Sequence, residues 1–429
     1  MHDLAPQAHK DAALGDTSLA DHTLVIPTYN RPELLWRLVT YYAQHARPLK
    51  LLVLDSSKPA IAAENAAALK AHLPYLRHVV YPTTTPMAAK LALGLRDVTT
   101  PTVSFCADDD IVFTDGLRQA RNFLLDNSDY VCAHGLYLNF REDGFQIHVT
   151  REYAGESNEA SHPGARIFRL CQNYESVFYG VFKTDDLRDI LAEAASIPSL
   201  HYQELFQSVG ALIKGKIIRL QCFYAGRRSG PEAEPTRDRW QTYYWFADNP
   251  AEFLQHYAEY RNRVAAFYAA QGSMPRLDRD AFLRVLDMTH AMYFSKGCPP
   301  AYFHSRLHAY WPNDAFKEEQ TDLFHVIRAD LTPPKLGKTA RLARKLLRRL
   351  RTFRASVGPG TPIDEEVQKW SRHPWTCQLP RRLKWLSADA NFRAAYRELC
   401  VYLNTLPANA GTVPGEHIQP GGPAIGQPE

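Results

Sequence analysis

The feature that most constrains the fold is an alternation of short apolar runs and amphipathic segments over the first third of the chain. Apolar runs cover Leu24 to Ile26 and Leu51 to Leu54, and a later one ends at Cys106. The segments between them carry apolar residues at helical spacing, and Pro32 suits the first turn of one such helix. Continuous apolar strands that alternate with helices are typical of a parallel sheet with helices on both faces. We therefore expect an α/β fold.

Several residues with binding chemistry fall at the carboxyl ends of the expected strands. Pro27 and Tyr29 come after the first strand, Asp55 after the second, and Asp108–Asp110 after the strand that contains Phe105. Open α/β sheets bind their ligands at this edge. The sequence thus predicts one ligand site to which all of these residues contribute.

Three consecutive aspartates, Asp108, Asp109 and Asp110, repel one another and require either water or a cation. The chain has neither a GxGxxG nor a GxxxxGK[ST] phosphate loop. Magnesium and manganese bind one or two carboxylates and complete their shell with water and phosphate oxygens. A solvated loop that caps the following helix is the alternative. The preceding strand favours the metal site because it holds the aspartates at the mouth of a cleft.

Composition narrows the class of protein. A chain of 429 residues is too long for one compact core, so more than one domain is expected. A net charge of +4 argues against nucleic acid as the main partner. The seven cysteines show no CxxC spacing, which fits reduced thiols and makes the cytoplasm the expected compartment. The N-terminal segment lacks the apolar core of a signal peptide, and no run is long enough to cross a bilayer.

Four stretches together resemble a known family. They read LVIPTYNRPELL, LLVLDSS, TTTPMAAKLALGL and SFCADDDIVFTDGL, and in this order and spacing they resemble the nucleotide-binding half of family 2 glycosyltransferases with the GT-A fold. The match covers Thr23 to Phe140, with a weaker continuation to Arg228. The resemblance implies a GT-A-like, mainly parallel sheet with helices on both faces, followed by a helical C-terminal region. It also implies a nucleoside-diphosphate sugar as donor and a divalent metal, Mg²⁺ or Mn²⁺, as cofactor.

The resemblance assigns roles to the residues at the strand ends. It implies that Pro27, Tyr29 and Asp55 contact the nucleoside of the donor. It also implies that the aspartates bind the metal and the diphosphate, so that Asp108 belongs to both the nucleotide site and the metal site. Asp108 and Asp110 are the favoured metal ligands, with Asp109 as the alternative. Many relatives read Asp-x-Asp-Asp where this chain reads Ala107-Asp108-Asp109-Asp110, so the resemblance leaves the choice among the three open.

Lys90 is a further nucleotide-binding candidate. It departs from the Arg or Asn that relatives often carry near this position, and a cation here could still neutralise the diphosphate. A solvated helix face is the alternative interpretation of this lysine.

Glu204 is the candidate general base. It stands at the head of an amphipathic helix and resembles the acidic element of the family, although Leu205 replaces the second acid. A carboxylate in this place would take the proton of the acceptor hydroxyl in an inverting reaction. The alternative is an ordinary acid near a helix N-terminus, where the dipole favours it. His201 and Glu175 are the next candidates.

Two other clusters carry weaker signals. Arg227 and Arg228 occupy a Gly-flanked loop after an expected strand, where a guanidinium could bind diphosphate, although exposed loop arginines are commoner than phosphate sites. Asp287 and His290 have metal-ligand spacing on a helix but no evident third ligand nearby. We interpret them as core residues or as a buried hydrogen bond.

The alternation of strands stops after about Pro235, and helical patterns follow. The expected divisions are a flexible N-terminus (1–20), a catalytic domain (21–235), a helical region (236–330), a basic helix with a C-terminal helical region (331–405) and a disordered tail (406–429). Residues 335–354 contain nine cations, no acid, and leucines largely on one helical side. This pattern predicts a helix that lies on an anionic membrane surface, and a solvated helix packed through its leucines is the alternative.

The sequence therefore predicts a metal-dependent inverting glycosyltransferase. It would move a sugar from a nucleoside-diphosphate donor to a hydroxyl of a glycan or lipid-linked glycan, and the resemblance implies bacterial surface polysaccharide synthesis. We expect it in the cytoplasm or peripherally on the inner face of the cell membrane, with no nucleic acid partner. One alternative is a nucleotidyltransferase acting on a sugar phosphate, although the first strand is not followed by the Gly- and Lys/Arg-rich loop that such an enzyme needs. A non-catalytic docking module of a glycan assembly complex is the other.

Overall fold

The structure is a computed structural model of the chain. It describes residues 18–72, 75–143, 146–153, 155–172, 174–229, 249–271, 278–294, 376–379 and 381–405. The basic segment 335–354 and the tail 406–429 of the sequence analysis lie outside these residues, as do residues 1–17. The predictions made for those segments therefore stay predictions.

Strands and helices alternate along the first half of the chain. The strands are β1 (His22–Thr28), β2 (Lys50–Asp55), β3 (Leu76–Val80), β4 (Thr102–Phe105), β5 (Ile111–Val112), β6 (Tyr130–Asp143), β7 (Gln146–Tyr153), β8 (Val181–Lys183), β9 (Lys216–Arg228) and β10 (Thr376–Gln378). The helices are α1 (Pro32–His45), α2 (Pro59–Leu69), α3 (Met87–Leu95), α4 (Thr114–Asp126), α5 (Pro163–Gln172), α6 (Thr184–Ala194), α7 (Leu200–Lys214), α8 (Pro250–Ala270), α9 (Arg279–Phe294) and α10 (Ala390–Asn404). Helix α1 begins at Pro32, as the sequence predicts.

The described strands form one sheet. Its order is β10-β7-β6-β8-β4-β1-β2-β3, with β9 beside β6 and β5 beside β9. Strands β4, β1, β2 and β3 run parallel to one another, which confirms the parallel sheet expected from the sequence. Strand β8 runs antiparallel to both β4 and β6. The sheet is therefore parallel in its first half and mixed beyond β4.

Both faces of the sheet are covered by helices. Along β1, Leu24 and Ile26 face a core that includes α1, α4 and α10, whereas Val25 faces a second core with α3, α6 and α7. The alternation follows from the period of two along a strand. Helices α8 and α9 extend the second core. The predicted α/β architecture, with helices on both faces and helices after the sheet, is confirmed.

Helix α4 packs unusually close to β9. A Cβ atom at Gly116 would lie 2.5 Å from the carbonyl oxygen of Phe223, and that backbone atom has no room to move. Glycine is therefore needed where the helix crosses the strand. This close approach keeps β9 next to the loop that carries the aspartates.

The C-terminal segment returns to the first half of the chain. Strand β10 pairs in parallel with β7, and α10 packs in the same core as α1. The carboxylate of Glu398 accepts hydrogen bonds from the Tyr41 hydroxyl (2.5 Å) and the Thr114 backbone amide (2.6 Å). The sequence predicts helix in this region and did not anticipate β10. The domain limits proposed above stay a prediction.

None of the helices in the described part of the chain is both long enough and apolar enough to cross a bilayer.

Candidate functional site

The carboxyl ends of β1, β2 and β4 meet at one edge of the sheet, as the sequence predicts. Thr28 pairs with Asp55 in the register of β1 and β2. Its hydroxyl donates a hydrogen bond of 2.7 Å to Oδ2 of Asp108, which follows β4. Pro27 is buried in β1, and the Tyr29 side chain beyond it is 50% exposed. The structure thus brings the predicted strand-end residues together and leaves Tyr29 accessible.

Asp108 and Asp109 share one partner, Arg31. The Nη1 atom of Arg31 lies 3.2 Å from Oδ1 of Asp108 and 2.8 Å from Oδ2 of Asp109. Burial raises the pKa of Asp108 to about 6; the Asp109 charge acts in the same direction, while Thr28 and Arg31 oppose it. The two carboxylates are therefore close together, and their negative charge is only partly compensated.

Asp110 faces a different part of the site. The Tyr179 hydroxyl donates to its Oδ2, and the backbone amide of Arg228 donates to its Oδ1 at 2.7 Å. Burial and the neighbouring Asp109 charge raise the pKa of Asp110, against the charge of Arg227 and these hydrogen bonds. Asp110 therefore ties the aspartate loop to β9 and to the segment that contains Tyr179.

The donor set suits a hard divalent cation. Within the described ranges, no three His, Cys, Asp or Glu side chains are grouped as a metal site. Magnesium and manganese need only one or two carboxylates when phosphate oxygens and water complete the shell. Asp108 and Asp109 offer such a pair, and a divalent cation would compensate the part of their negative charge that Arg31 leaves. Which two of the three aspartates bind the metal stays a prediction.

Asp55 is buried and fixes the loop after β2. The Ser57 amide donates to its Oδ1 (2.8 Å), and Asn65 Nδ2 (2.8 Å) and His78 Nε2 (3.1 Å) donate to its Oδ2. Burial alone would raise the pKa of this carboxyl, but these hydrogen bonds outweigh it and hold the pKa well below its usual range. Asp55 is therefore ionised, and its predicted contact with the nucleoside stays a prediction.

Lys90 lies beneath the site and not on an exposed surface. Its Nζ donates to the Thr28 carbonyl oxygen (3.0 Å) and to the Ser56 hydroxyl (2.8 Å), and only 3% of the residue is exposed. Burial lowers the pKa of Lys90 to about 8, although the charges of Asp55 and Asp108 oppose this. The alternative of a solvated helix face is therefore wrong. Lys90 joins the ends of β1 and β2.

Glu204 is the fifth residue of α7, and that helix has no acid in its first turn. The alternative of an ordinary N-terminal acid is therefore not supported. No hydrogen bond to its carboxylate forms within the part of the chain that the structure describes. Burial raises the pKa of Glu204 to about 7, while the charge of Arg227 opposes the shift. A carboxylate in this state can exchange a proton near neutral pH.

Arg227 connects the two carboxylate regions. Its charge lowers the pKa of both Asp110 and Glu204, so the guanidinium lies within electrostatic reach of each. Sequence reasoning gave Arg227 little weight, and the Gly-flanked Arg-Arg pair at the end of a strand was its only signal. The side chain of Arg228, in contrast, pairs with Glu142 at 3.2 Å.

The two other base candidates differ from Glu204. Burial lowers the pKa of His201 to about 4, so its ring is neutral and a weak base at neutral pH. Glu175 accepts a hydrogen bond from the Gly155 amide and lines a separate cavity of about 130 Å³ with His134 and Asn158. Glu204 stays the favoured base candidate, because its pKa lies near neutrality and the charge of Arg227 acts on it.

The Asp287 and His290 pair forms buried hydrogen bonds, as interpreted from the sequence. Arg261 donates two hydrogen bonds to the Asp287 carboxylate, at 2.6 and 2.7 Å. The His290 ring lies between the hydroxyls of Tyr257 and Tyr260, at 3.4 and 3.3 Å. These contacts join α8 to α9.

The family assignment rests on residues 23–192, which match the model described as glycosyl transferase family 2. Residues 23–192 are a family 2 glycosyltransferase domain. The domain spans β1 to α6 and contains Asp55, Lys90 and the three aspartates. Glu204 and Arg227 follow it in the chain. No curated protein sequence matches this glycosyltransferase.

Solved structures of glycosyltransferases resemble the chain distantly. TarS residues 1–349 from S. aureus is 12% identical over 67% of this chain and 90% of its own, with a TM-score of 0.39. The same TarS fragment in complex with UDP-GlcNAc is 13% identical over 67% of this chain and 91% of its own, with a TM-score of 0.40. The mannosyltransferase PcManGT from Pyrobaculum calidifontis, in complex with GDP-Man and Mn²⁺, is 17% identical over 68% of this chain and 88% of its own, with a TM-score of 0.35.

Proposed function

We propose that this glycosyltransferase moves a sugar from a nucleoside-diphosphate donor to a hydroxyl group of a glycan or lipid-linked glycan. The observation that supports this most directly is Arg227, whose charge acts on both Asp110 and Glu204. The same cation thus acts on an aspartate assigned to the metal and diphosphate and on the carboxylate assigned to the acceptor. Residues of one site would therefore bind the diphosphate leaving group and accept the proton of the attacking hydroxyl.

The donor would lie along the strand ends. Tyr29 offers an exposed ring just beyond β1, the strand that contains Pro27. Asp55 lies beside Thr28 at the ends of β1 and β2, where its ionised carboxylate would contact the nucleoside. Asp108, with Asp110 or Asp109, would hold a divalent metal, and when bound that metal supplies neutralisation of the departing diphosphate.

Lys90 and Arg227 would add positive charge to the donor site. Lys90 is fixed against the ends of β1 and β2, so it acts as a buried countercharge beneath the diphosphate. Arg227 carries a planar set of donors that matches phosphate oxygens. The binding site would therefore oppose the charge of the diphosphate from two sides.

Glu204 would act as the general base of an inverting displacement. It takes the proton of the acceptor hydroxyl while that oxygen bonds to the anomeric carbon and the bond to the diphosphate breaks. The pKa of about 7 suits this task, because the group is partly ionised and still basic at neutral pH. His201 and Glu175 are the alternatives for this role.

The biological setting proposed here follows the sequence resemblance. We place the enzyme in the cytoplasm or at the inner face of the cell membrane, in assembly of a surface polysaccharide. The cationic segment 335–354 would provide the membrane contact, and it lies outside the described residues.

Release of nucleoside diphosphate from a panel of nucleotide sugars, with Mn²⁺ and without acceptor, tests the proposal. We expect slow, metal-dependent release of the nucleoside diphosphate from one donor. Release of pyrophosphate from a nucleoside triphosphate and a sugar phosphate would instead identify a nucleotidyltransferase. Binding of no donor in the panel would favour the docking module.

A further inference from the structure

Arg31 occupies the position between two of the proposed metal ligands. One nitrogen of its guanidinium makes both contacts, at 3.2 Å to Asp108 and 2.8 Å to Asp109. The Asp108 and Asp109 side chains are 5% and 16% exposed, and that of Arg31 is 36% exposed. A cation of the protein itself therefore lies on the carboxylates where a divalent cation is proposed.

The backbone before Arg31 is held in an uncommon conformation. Asn30 has φ of 56°, in the left-handed region that asparagine tolerates better than most residues. Its amide donates to the Ser57 hydroxyl (2.8 Å), and its Oδ1 accepts from the Lys58 amide (2.9 Å). Ser57 is in turn fixed by Asp55. The turn at Asn30, which directs Arg31 toward the aspartates, is thus held in place by hydrogen bonds to the loop after β2.

We propose that Arg31 is an internal counter-ion of the metal site, which the divalent metal must displace. This inference rests on the metal role of the aspartates in the proposed function. Two adjacent buried carboxylates repel each other, and the guanidinium holds them together before the metal binds. The metal gains the carboxylates only by breaking both Arg31 contacts, so its affinity in the absence of donor is reduced.

The diphosphate gives Arg31 a second partner. A guanidinium released from the aspartates can pair with phosphate oxygens instead, so the cost of displacing it falls when diphosphate is present. Metal and diphosphate would then favour each other's binding, and linkage requires the effect to be reciprocal. Arg31 therefore makes the site select the metal together with the diphosphate over either one alone.

The experiment compares Mn²⁺ binding by wild type and variants, using electron paramagnetic resonance of free Mn²⁺ without any turnover. Arg31→Gln removes the charge, and Arg31→Lys keeps a charge but loses the planar fork. Lys58→Gln is the matched control, because it removes one exposed positive charge from the same turn without touching the aspartates. Thermal unfolding in EDTA confirms that each variant is folded.

We expect Arg31→Gln to bind MnCl₂ alone about two- to fivefold more tightly than wild type, the range for a partly exposed ion pair. Arg31→Lys should fall between the two, and Lys58→Gln should match wild type. Inorganic pyrophosphate should increase the Mn²⁺ affinity of the wild type more than that of Arg31→Gln. The free Mn²⁺ concentration is corrected for the Mn²⁺ that pyrophosphate binds in solution. Equal or weaker Mn²⁺ affinity of Arg31→Gln overturns the counter-ion role.

A separate variant distinguishes this inference from the proposed function. If neither wild type nor Arg31→Gln binds Mn²⁺, or if Asp108→Asn binds it as wild type does, then the metal role of the aspartates is wrong and the inference falls with it. If Asp108→Asn loses Mn²⁺ but Arg31→Gln leaves the affinity unchanged, only the inference about Arg31 fails.

Discussion

The guanidinium carbon of Arg227 lies 5.5 Å from the centre of the Tyr179 ring. The Tyr179 hydroxyl bonds Asp110, so the arginine is held over a side chain that is itself attached to the aspartate loop. A cation on an aromatic face is stabilised there by the negative potential of the ring. The end of β9 thus presents a positioned positive charge to the site.

Arg227→Gln should therefore raise the pKa of Glu204 and lower the rate of turnover. Without this cation, the pKa of Glu204 should rise further, since Arg227 opposes the effect of burial. The ascending limb of the pH dependence of kcat/KM should shift to higher pH, and turnover should fall by about two orders of magnitude, as for loss of one preorganised donor. Arg228→Gln is the matched control, because that side chain pairs with Glu142 instead. A pH profile unchanged in Arg227→Gln would contradict the proposed link.

Glu204→Gln tests the general base. The change keeps the size of the side chain and removes its basicity, so turnover should fall by about two to four orders of magnitude with donor affinity nearly unchanged. In wild type, kcat/KM should rise with pH through about 7, where the Glu204 carboxyl loses its proton. Turnover near the wild-type value in Glu204→Gln would move the role to His201 or Glu175.

The same substitution should stabilise the protein at alkaline pH. The folded-state pKa of Glu204, about 7, exceeds the usual value of 4.5 for the unfolded chain, so folding favours its protonated form. That favourable contribution is complete below pH 4.5 and is lost as the pH rises through 7. Glu204→Gln should thus raise the free energy of unfolding at pH 8 by on the order of 1–3 kcal/mol and change it little at pH 4.5. Thermal melts at both pH values provide the measurement, and equal shifts would contradict a buried, titrating carboxylate.

The three aspartates should respond differently to removal of their charge. Asp109→Asn should weaken Mn²⁺-dependent nucleotide binding with little loss of stability, because Asp109 is the most exposed of the three and its carboxylate forms an ion pair with the half-exposed Arg31. Asp110→Asn should also lower the melting temperature, because its carboxylate accepts bonds from Tyr179 and Arg228. Metal titrations with each variant, run beside thermal melts, separate the two effects. Full Mn²⁺ affinity in Asp109→Asn would leave Asp108 and Asp110 as the metal ligands.

The sequence was sufficient to predict β1, β2 and β4, because each contains a short apolar run that ends at polar residues. Leu51 to Leu54 ends at Asp55, and the run before Cys106 ends at the aspartates. The placement of Asp55, Lys90 and the aspartates at one edge then follows from parallel topology alone. The burial and hydrogen-bond partners of these residues depend on tertiary contacts, which the local sequence does not determine.

Burial and partner choice were the parts that could not be predicted. Lys90 sits on a helix with an ordinary pattern, and only tertiary packing shows that it faces inward. Arg31 reaches the aspartates 77 and 78 residues away because of a left-handed turn at Asn30. Strand β10 consists of three residues and pairs with β7, which is distant in sequence. Such a short segment has no hydrophobic periodicity from which a strand could be predicted.

The cationic segment 335–354 gives the last prediction, which concerns location. Each lysine or arginine near an anionic surface contributes about 1 kcal/mol, and salt weakens the attraction. We therefore expect the protein to sediment with vesicles that contain anionic lipid at low salt and to stay in solution at high salt. A variant with Gln at Arg341, Arg344, Arg348 and Arg351 should lose this binding.

A matched variant separates a specific surface from net charge. It carries Gln at four exposed cations of the described residues, namely Lys50, Lys58, Lys70 and Arg96, and so loses the same charge elsewhere. We expect it to sediment as wild type does, because those cations are not gathered on one apolar helix face. Equal loss of binding in both variants would show that net charge alone drives the interaction. Unchanged binding in the 335–354 variant would favour a helix that packs through its leucines, since its cations would then not contact the lipid.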